Sequence, residues 1–241
     1  MKNTYRFFIP PESITGDAVH VTEREIVHQW LNVLRLRVGQ HIAVLDGTGR
    51  GMIVELESLD KKQATARVVS EYAANGEPSV NVTMYVALTR GERFEWVLQK
   101  ATELGAIRMV PLICERTQSE QSQTKRERWQ RIIREAAEQS CRAVVPVFDE
   151  PQAFMDALKA SRGAIFLSEG DETMPFKAAM AHQTNNISIW SGAEGGWSEN
   201  EMVQAHEHGL LLTTLGHRIL RAETAPIAAL SAVMYERDEW K

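Results

Sequence analysis

The densest cluster of chemically useful residues is Ser191-Gly192-Ala193-Glu194-Gly195-Gly196. It follows a short apolar run at 187–190. It precedes Ser198-Glu199-Asn200-Glu201, a capping-box signature that opens a helix. Glycines let a ligand approach backbone amides closely, and strand ends in parallel α/β sheets are where ligands bind. Two readings stand: a ligand cradle, or a tight strand–helix turn. A second cluster, Leu215-Gly216-His217-Arg218-Ile219-Leu220-Arg221-Ala222-Glu223-Thr224-Ala225, also follows an apolar run and leads into a helix. Arg221 and Glu223 are charges in a stretch otherwise suited to burial, and buried charges need partners. They pair with each other, cap the helix, or line a polar pocket beside 192–196.

Other chemistries fit less well. A dinucleotide fold places G-x-G-x-x-G after the first strand of its βαβ unit. Here that strand meets Thr89-Arg90-Gly91, with one glycine. His20, His28, His41, His182, His206, His208 and His217 show no Cys/His ligand spacing, so no metal is expected. Ser191-Gly192 does not form G-x-S-x-G. Cys114 follows a predicted strand and reads as a buried, inert thiol.

The elements that must position these residues fall into two stretches. Residues 1–73 read as strands at 5–9, 41–45, 52–56 and 64–69. A hairpin turn lies at Asp46-Gly47-Thr48-Gly49-Arg50-Gly51, and one helix follows a capping box at Thr22-Glu23-Arg24-Glu25. Ile26, Trp30, Val33 and Leu34 supply that helix's apolar stripe, and the whole suggests a small β-barrel. Ala73-Ala74-Asn75-Gly76-Glu77-Pro78 reads as a linker.

From 74 to 241 strands and helices alternate, which implies a parallel sheet. Strands are expected at 80–88, 107–113, 144–148, 164–167, 187–190 and 210–214. Further capping boxes are expected at Thr89 and Thr124. Pro151 is expected to open a helix carrying Phe154, Met155 and Leu158. The last helix spans about 223–235, with Pro226 in its first turn.

Composition agrees with a globular protein: 241 residues, 44% apolar and 24% charged. No run of about 18 apolar residues suggests a membrane span. The opening residues meet Pro10 and Pro11 before any long apolar core, so no signal peptide is expected. Cys114 and Cys141 are too few for a disulfide scaffold, and a reducing cytoplasmic setting is the simplest. The net charge of −5 argues against a crude nucleic-acid binder. It divides unevenly, into +3 over 90–142 and −7 over 143–241. The middle is either a phosphate-facing patch or a solvated helix face.

Four ordered blocks resemble the RsmE family of SPOUT-superfamily RNA methyltransferases. The first is His28, Val33-Leu34-Arg35-Leu36, Gly39 and Asp46-Gly47-Thr48-Gly49. The second is Gln99-Lys100-Ala101-Thr102-Glu103-Leu104-Gly105, Pro111-Leu112 and Glu115-Arg116. The third is Arg128-Trp129, Glu135-Ala136-Ala137-Glu138-Gln139-Ser140 and Arg142. The fourth is Gly192, Glu194-Gly195-Gly196, Glu201, Leu215-Gly216, Ile219-Leu220-Arg221 and Glu223-Thr224-Ala225. Ala193 stands where the family has proline, and Trp197 where a smaller aromatic is usual.

The resemblance implies an N-terminal PUA-like β-barrel at 1–73 that helps hold RNA. It implies an α/β methyltransferase domain at 74–241 with a deep trefoil knot, in a homodimer. The cofactor would be S-adenosyl-L-methionine, and the substrate N3 of one uridine in 16S rRNA of the small ribosomal subunit. The reaction needs in-line alignment, stabilisation of charge as the N3 proton leaves, and an unpaired or flipped base.

On that reading Leu167, Ser168, Gly170, Ser191, Gly192, Glu194, Gly195, Thr213, Leu215, Gly216, Ile219, Leu220 and Arg221 hold the cofactor. Ile219 and Leu220 sandwich the adenine. Arg221 is the electrophilic catalyst, Glu194 a base or orienting group, and Arg116 grips the uridine or its phosphate. Arg6, Arg35, Arg90, Arg93, Arg126 and Arg131, with Lys125, Arg128 and Arg134, would meet RNA phosphates. A knotted methyltransferase for tRNA or 23S rRNA, and a non-catalytic RNA-binding assembly factor, are the rival expectations.

Overall fold

The computed structural model describes residues 4–117, 123–170 and 172–240. The first three residues of the opening segment lie outside this range. The backbone groups into two compact units, Met1–Glu77 with Ala137–Val145, and Pro78–Ala136 with Pro146–Lys241.

The first unit carries β1 (Arg6–Phe8), β2 (Ile14–Thr15), β3 (Ala18–Val21), β4 (His41–Leu45), β5 (Arg50–Leu59) and β6 (Ala64–Ala73) in one sheet, ordered β1-β4-β5-β6-β3-β2. Side chains alternate in and out with the strand period. Val19 and Val21, then Met52, Val54 and Leu56, then Ala64 and Ala66 therefore face one core, with Phe7 and Trp30. The β4–β5 hairpin forms where expected, and Gly47 and Gly49 take φ of +78° and +100°.

The β2–β3 hairpin was not expected. Its signal, alternation at Ala18-Val19-His20-Val21 after Thr15-Gly16-Asp17, is short. The predicted capping box at Thr22 does not form. Helix α1 (Arg24–His28) has Glu23 at its N-cap with no side-chain cap and continues as a wider π-helical turn over Gln29–Val33. That turn leaves Val33 64% exposed, off the predicted stripe.

Residues 137–145 pack on this unit through specific acceptors. Glu138 accepts from the Phe8 N–H at 2.9 Å. Arg142, 2% exposed, donates to Glu77, whose carboxylate also accepts from the Ala143 and Val144 N–H groups.

The second unit is a parallel sheet. Its strands are β7 (Asn81–Ala87), β8 (Arg108–Ile113), β9 (Val147–Phe148), β10 (Gln152–Ala153), β11 (Ile165–Leu167), β12 (Met174–Pro175), β13 (Asn186–Ser191) and β14 (Leu211–Thr214). The order is β10-β8-β7-β13-β11-β14-β12, with β9 also on β8. Its inner strands are nearly continuous apolar runs, as a sheet covered on both faces requires.

The helices of the second stretch are α2 (Arg93–Glu103), α3 (Gln123–Gln139), α4 (Phe154–Lys159), α5 (Phe176–Met180), α6 (Glu199–Glu207) and α7 (Thr224–Glu236). Ser198 and Glu201 form the expected reciprocal capping box on α6. The boxes at Thr89 and Thr124 do not form. Glu92 is the N-cap of α2, while Thr124 already lies inside α3. Pro151 precedes β10, and α4 opens at Phe154 instead. Among the described residues no helix is long and apolar enough to cross a membrane.

Candidate cofactor and substrate site

Three adjacent parallel strands, β13, β11 and β14, end at one edge of the sheet, where strand carboxyl ends gather ligands. Their following loops line a cavity of about 660 Å³. Leu167 and Ser168 reach it from β11. Ser191, Gly192, Glu194 and Gly195 reach it from β13. Thr213, Leu215, Gly216, Ile219, Leu220 and Arg221 reach it from β14. Arg116, from the segment after β8, and Arg93, from the start of α2, complete the rim. Gly170 lies apart from these and lines an adjoining hollow with Thr173 and Phe176.

The β13 loop is held from several sides. Glu194 accepts from the Arg90 N–H at 2.9 Å and from Arg93 Nη1 at 3.0 Å. Burial alone would raise its carboxyl pKa. The hydrogen bonds from the Arg90 N–H and its own N–H, with the Arg93 charge, outweigh burial and hold it below the ordinary carboxylate value. Arg93 Nε also stands 4.0 Å from Glu223, so it bridges the β13 loop and the start of α7. Arg116 donates Nη1 to the Gly195 carbonyl at 2.7 Å. An added Cβ on Gly195 would lie 3.3 Å from Arg116 carbons, a tight contact to which the Arg116 side chain would have to yield. The loop closes on itself through the Gly196 N–H to the Ala193 carbonyl.

The sequence marks Trp197 only as larger than the aromatic usual in the family, with no role attached. Its Nε1–H donates to the Leu167 carbonyl at 2.8 Å, and its ring stacks on Phe166 at 4.3 Å. A Cβ on Gly192 would meet that ring at 3.1 Å. One side chain thus ties the β11 loop to the β13 loop. Glu169 and Arg218, from the loops at 167–170 and 215–220 read as cofactor-holding, also line the cavity, as does Met202 of α6, which carried no sequence signal.

Several expectations change. Arg221 is exposed rather than buried, and Glu223 pairs with Arg93 rather than with Arg221. Arg126 is engaged within the molecule. It donates to the Phe148 and Asp149 carbonyls, pairs with Glu150 at 3.0 Å, and lies over the Phe148 ring. That set of partners removes it from the phosphate-binding candidates. Arg128 pairs with Glu95 at 2.7 Å yet stays largely exposed. Arg35 and Arg90 are exposed, as is Arg131. Arg6 is half-buried and donates to the Thr4 carbonyl. The Cys114 thiol is buried, and burial pushes its pKa far up, as an inert thiol requires.

The cavity suits a ligand with both polar and apolar parts. The Ser168 hydroxyl is buried with no hydrogen-bond partner, an acceptor and donor that a ligand would satisfy. Ile219 is 81% exposed on the same rim, an apolar surface a flat ring would cover. Four arginines surround the opening: Arg93, Arg116, Arg218 and Arg221.

Comparison with known proteins places this geometry. Residues 76–234 match the RNA methyltransferase domain family, and residues 31–69 match the RNA methyltransferase PUA domain family. The ribosomal RNA small subunit methyltransferase E of a Synechocystis species is 37% identical over 95% of this chain and 77% of its own length. The Bacillus subtilis protein of the same name is 33% identical over 95% of this chain and 91% of its own. The ribosomal RNA small subunit methyltransferase E of Neisseria gonorrhoeae, solved bound to S-adenosyl methionine, superimposes with a TM-score of 0.88. It is 34% identical and covers 97% of this chain and 98% of that one.

Proposed function

The chain belongs to the ribosomal RNA small subunit methyltransferase E family, and from that premise we propose that it transfers a methyl group from S-adenosyl-L-methionine to N3 of one uridine in 16S rRNA. The observation that carries this reading is the convergence of the β11, β13 and β14 loops on one cavity rimmed by arginines. The orphaned Ser168 hydroxyl and the bare Ile219 side chain fit the cofactor's polar and adenine parts. Bound there, S-adenosyl-L-methionine supplies an electrophilic methyl carbon.

The protein's own groups do the rest. Arg221, exposed at the rim, and Arg116, fixed on Gly195, would stabilise negative charge developing on O2 and O4 as the N3 proton passes to solvent water. Glu194 serves as an orienting group. A carboxylate held below its ordinary value is a weak base, and its oxygen is engaged by Arg90 and Arg93. The target uridine enters flipped or unpaired, because pairing would hide N3.

The unit of 1–77 with 137–145, rather than 1–73 alone, acts as the PUA-like RNA-binding domain, and the unit of 78–136 with 146–241 as the methyltransferase domain. Arg35, Arg90, Arg93, Lys125, Arg128 and Arg131 are exposed members of the phosphate-contacting set, with Arg93 held on Glu194 and Arg128 on Glu95. The return of β14 to pair with β11, outside β13, is compatible with a chain threaded as a trefoil knot. Helix α7 supports a homodimer. It is apolar around its circumference, with Ile227, Ala228 and Ala232 half-buried and Tyr235 71% exposed. Helices apolar all round are normally covered. The reaction belongs in the cytoplasm, where ribosomes assemble.

Incubating the full chain with tritiated S-adenosyl-L-methionine and a mixture of small subunits lacking the modification, 23S rRNA and tRNA, with the RNAs separated afterwards, tests this. Label on 16S rRNA supports it. Label only on tRNA or 23S rRNA overturns it.

A further inference from the structure

Glu201 sits in the first turn of α6 and is 4% exposed. It makes no ion pair among the described residues, which is unusual for a carboxylate so deeply buried. Both its oxygens are occupied by backbone donors. Oε2 accepts from the Ser198 N–H at 2.9 Å and closes the capping box. Oε1 accepts from the Glu115 N–H at 2.8 Å, on the segment after β8. The next residue is Arg116, whose guanidinium rests on the Gly195 carbonyl at 2.7 Å.

A capping box alone would be served by glutamine. A carboxylate accepts at both oxygens, whereas a carboxamide accepts at one and presents N–H donors at the other. Two convergent N–H donors therefore call for glutamate. We infer that Glu201 is a positioning residue for methyl transfer. It anchors the 115–116 backbone to α6, so that Arg116 stands over the β13 loop at the cavity. The inference rests on the role proposed above for Arg116.

The test uses the full chain, tritiated S-adenosyl-L-methionine and small subunits lacking the modification. Four variants are compared: Glu201→Gln, Ser198→Ala, Arg116→Ala, and Arg116→Ala with Glu201→Gln. Ser198→Ala removes the hydroxyl cap but keeps both bonds to Glu201. Glu201→Gln lowers kcat/KM for RNA about 10- to 100-fold, a range set by one charge-assisted contact. Its cofactor affinity by calorimetry stays within about threefold. Ser198→Ala keeps the rate within about threefold despite a lower Tm. Adding Glu201→Gln to Arg116→Ala changes the rate less than about twofold, because the two act as a unit.

A wild-type rate for Glu201→Gln overturns the inference. So does an equal loss in Ser198→Ala, or a full Glu201→Gln penalty persisting without Arg116. Should Glu201→Gln not fold, Glu115→Pro removes the donor N–H and leaves the α6 cap intact, with the same expectations. Transfer by the wild-type chain keeps these outcomes separate from failure of the proposed function. No transfer by the wild type overturns both.

Discussion

Trp197→Phe isolates what joins the β11 and β13 loops. The substitution keeps an aromatic ring against Phe166 but removes the Nε1–H that Leu167 accepts at 2.8 Å. The Leu167 carbonyl is then buried without a donor, which costs about 1–3 kcal/mol. At about 2–4 °C per kcal/mol for a chain of this size, Tm falls by about 2–12 °C. Leu167 and Ser168 line the cavity, so a ligand must re-order the freed loop before it is held. At 1.4 kcal/mol per tenfold, re-ordering at that cost weakens cofactor binding by about 5- to 140-fold. Scanning calorimetry reads the first number and isothermal titration with S-adenosyl-L-methionine the second. RNA affinity measured without cofactor stays as in wild type. A Phe variant with unchanged cofactor affinity and a Tm within about 1 °C of wild type refutes the reasoning.

Gly195→Val places branched carbons against Arg116, where even one Cβ would lie 3.3 Å away. The variant stays folded by circular dichroism but loses measurable calorimetric binding of cofactor, and wild-type affinity counts against the cradle. Acid stability depends on Glu77. Burial raises its carboxyl pKa, but the Arg142 hydrogen bond and charge, with the Ala143 and Val144 N–H bonds, hold it below the usual 4.5. A depressed folded value stabilises above the unfolded one, so this contribution is present at neutral pH and disappears as pH falls below about 4.5. Glu77→Gln is less stable at pH 7, and the gap to wild type narrows at pH 3–4 in urea melts. Arg90→Ala lowers the salt slope of RNA binding by about one. Arg126→Ala lowers Tm and leaves that slope unchanged, because its donors are turned onto Phe148 and Asp149.

The alternation of strands and helices after residue 78 was legible because buried parallel strands read as unbroken apolar runs. The glycine loop at 192–196 was legible because side-chain-free positions stand out between a strand and a capped helix. Three of the four predicted capping boxes failed, although each matched the full S/T-x-x-E pattern. At Thr22 and Thr89 the helix began later, while at Thr124 it had already begun. Local hydrogen-bond patterns are weak beside the packing that fixes where a helix meets its neighbours. Trp197 and Glu201 were harder to see. Their importance lies in partners 30 and 86 residues away, Leu167 and Glu115, and no periodicity encodes such contacts. Arg126 and Arg90 looked alike as basic residues. Only the fold separates a guanidinium spent on carbonyls from one left at the surface.

The central claim is tested most directly by mass-spectrometric mapping of rRNA from a strain lacking this chain. The account predicts that one N3-methyluridine disappears from 16S rRNA and returns when the wild-type chain is supplied. A 16S rRNA that keeps all its methyluridines, with the loss in tRNA or 23S rRNA or nowhere, would contradict it.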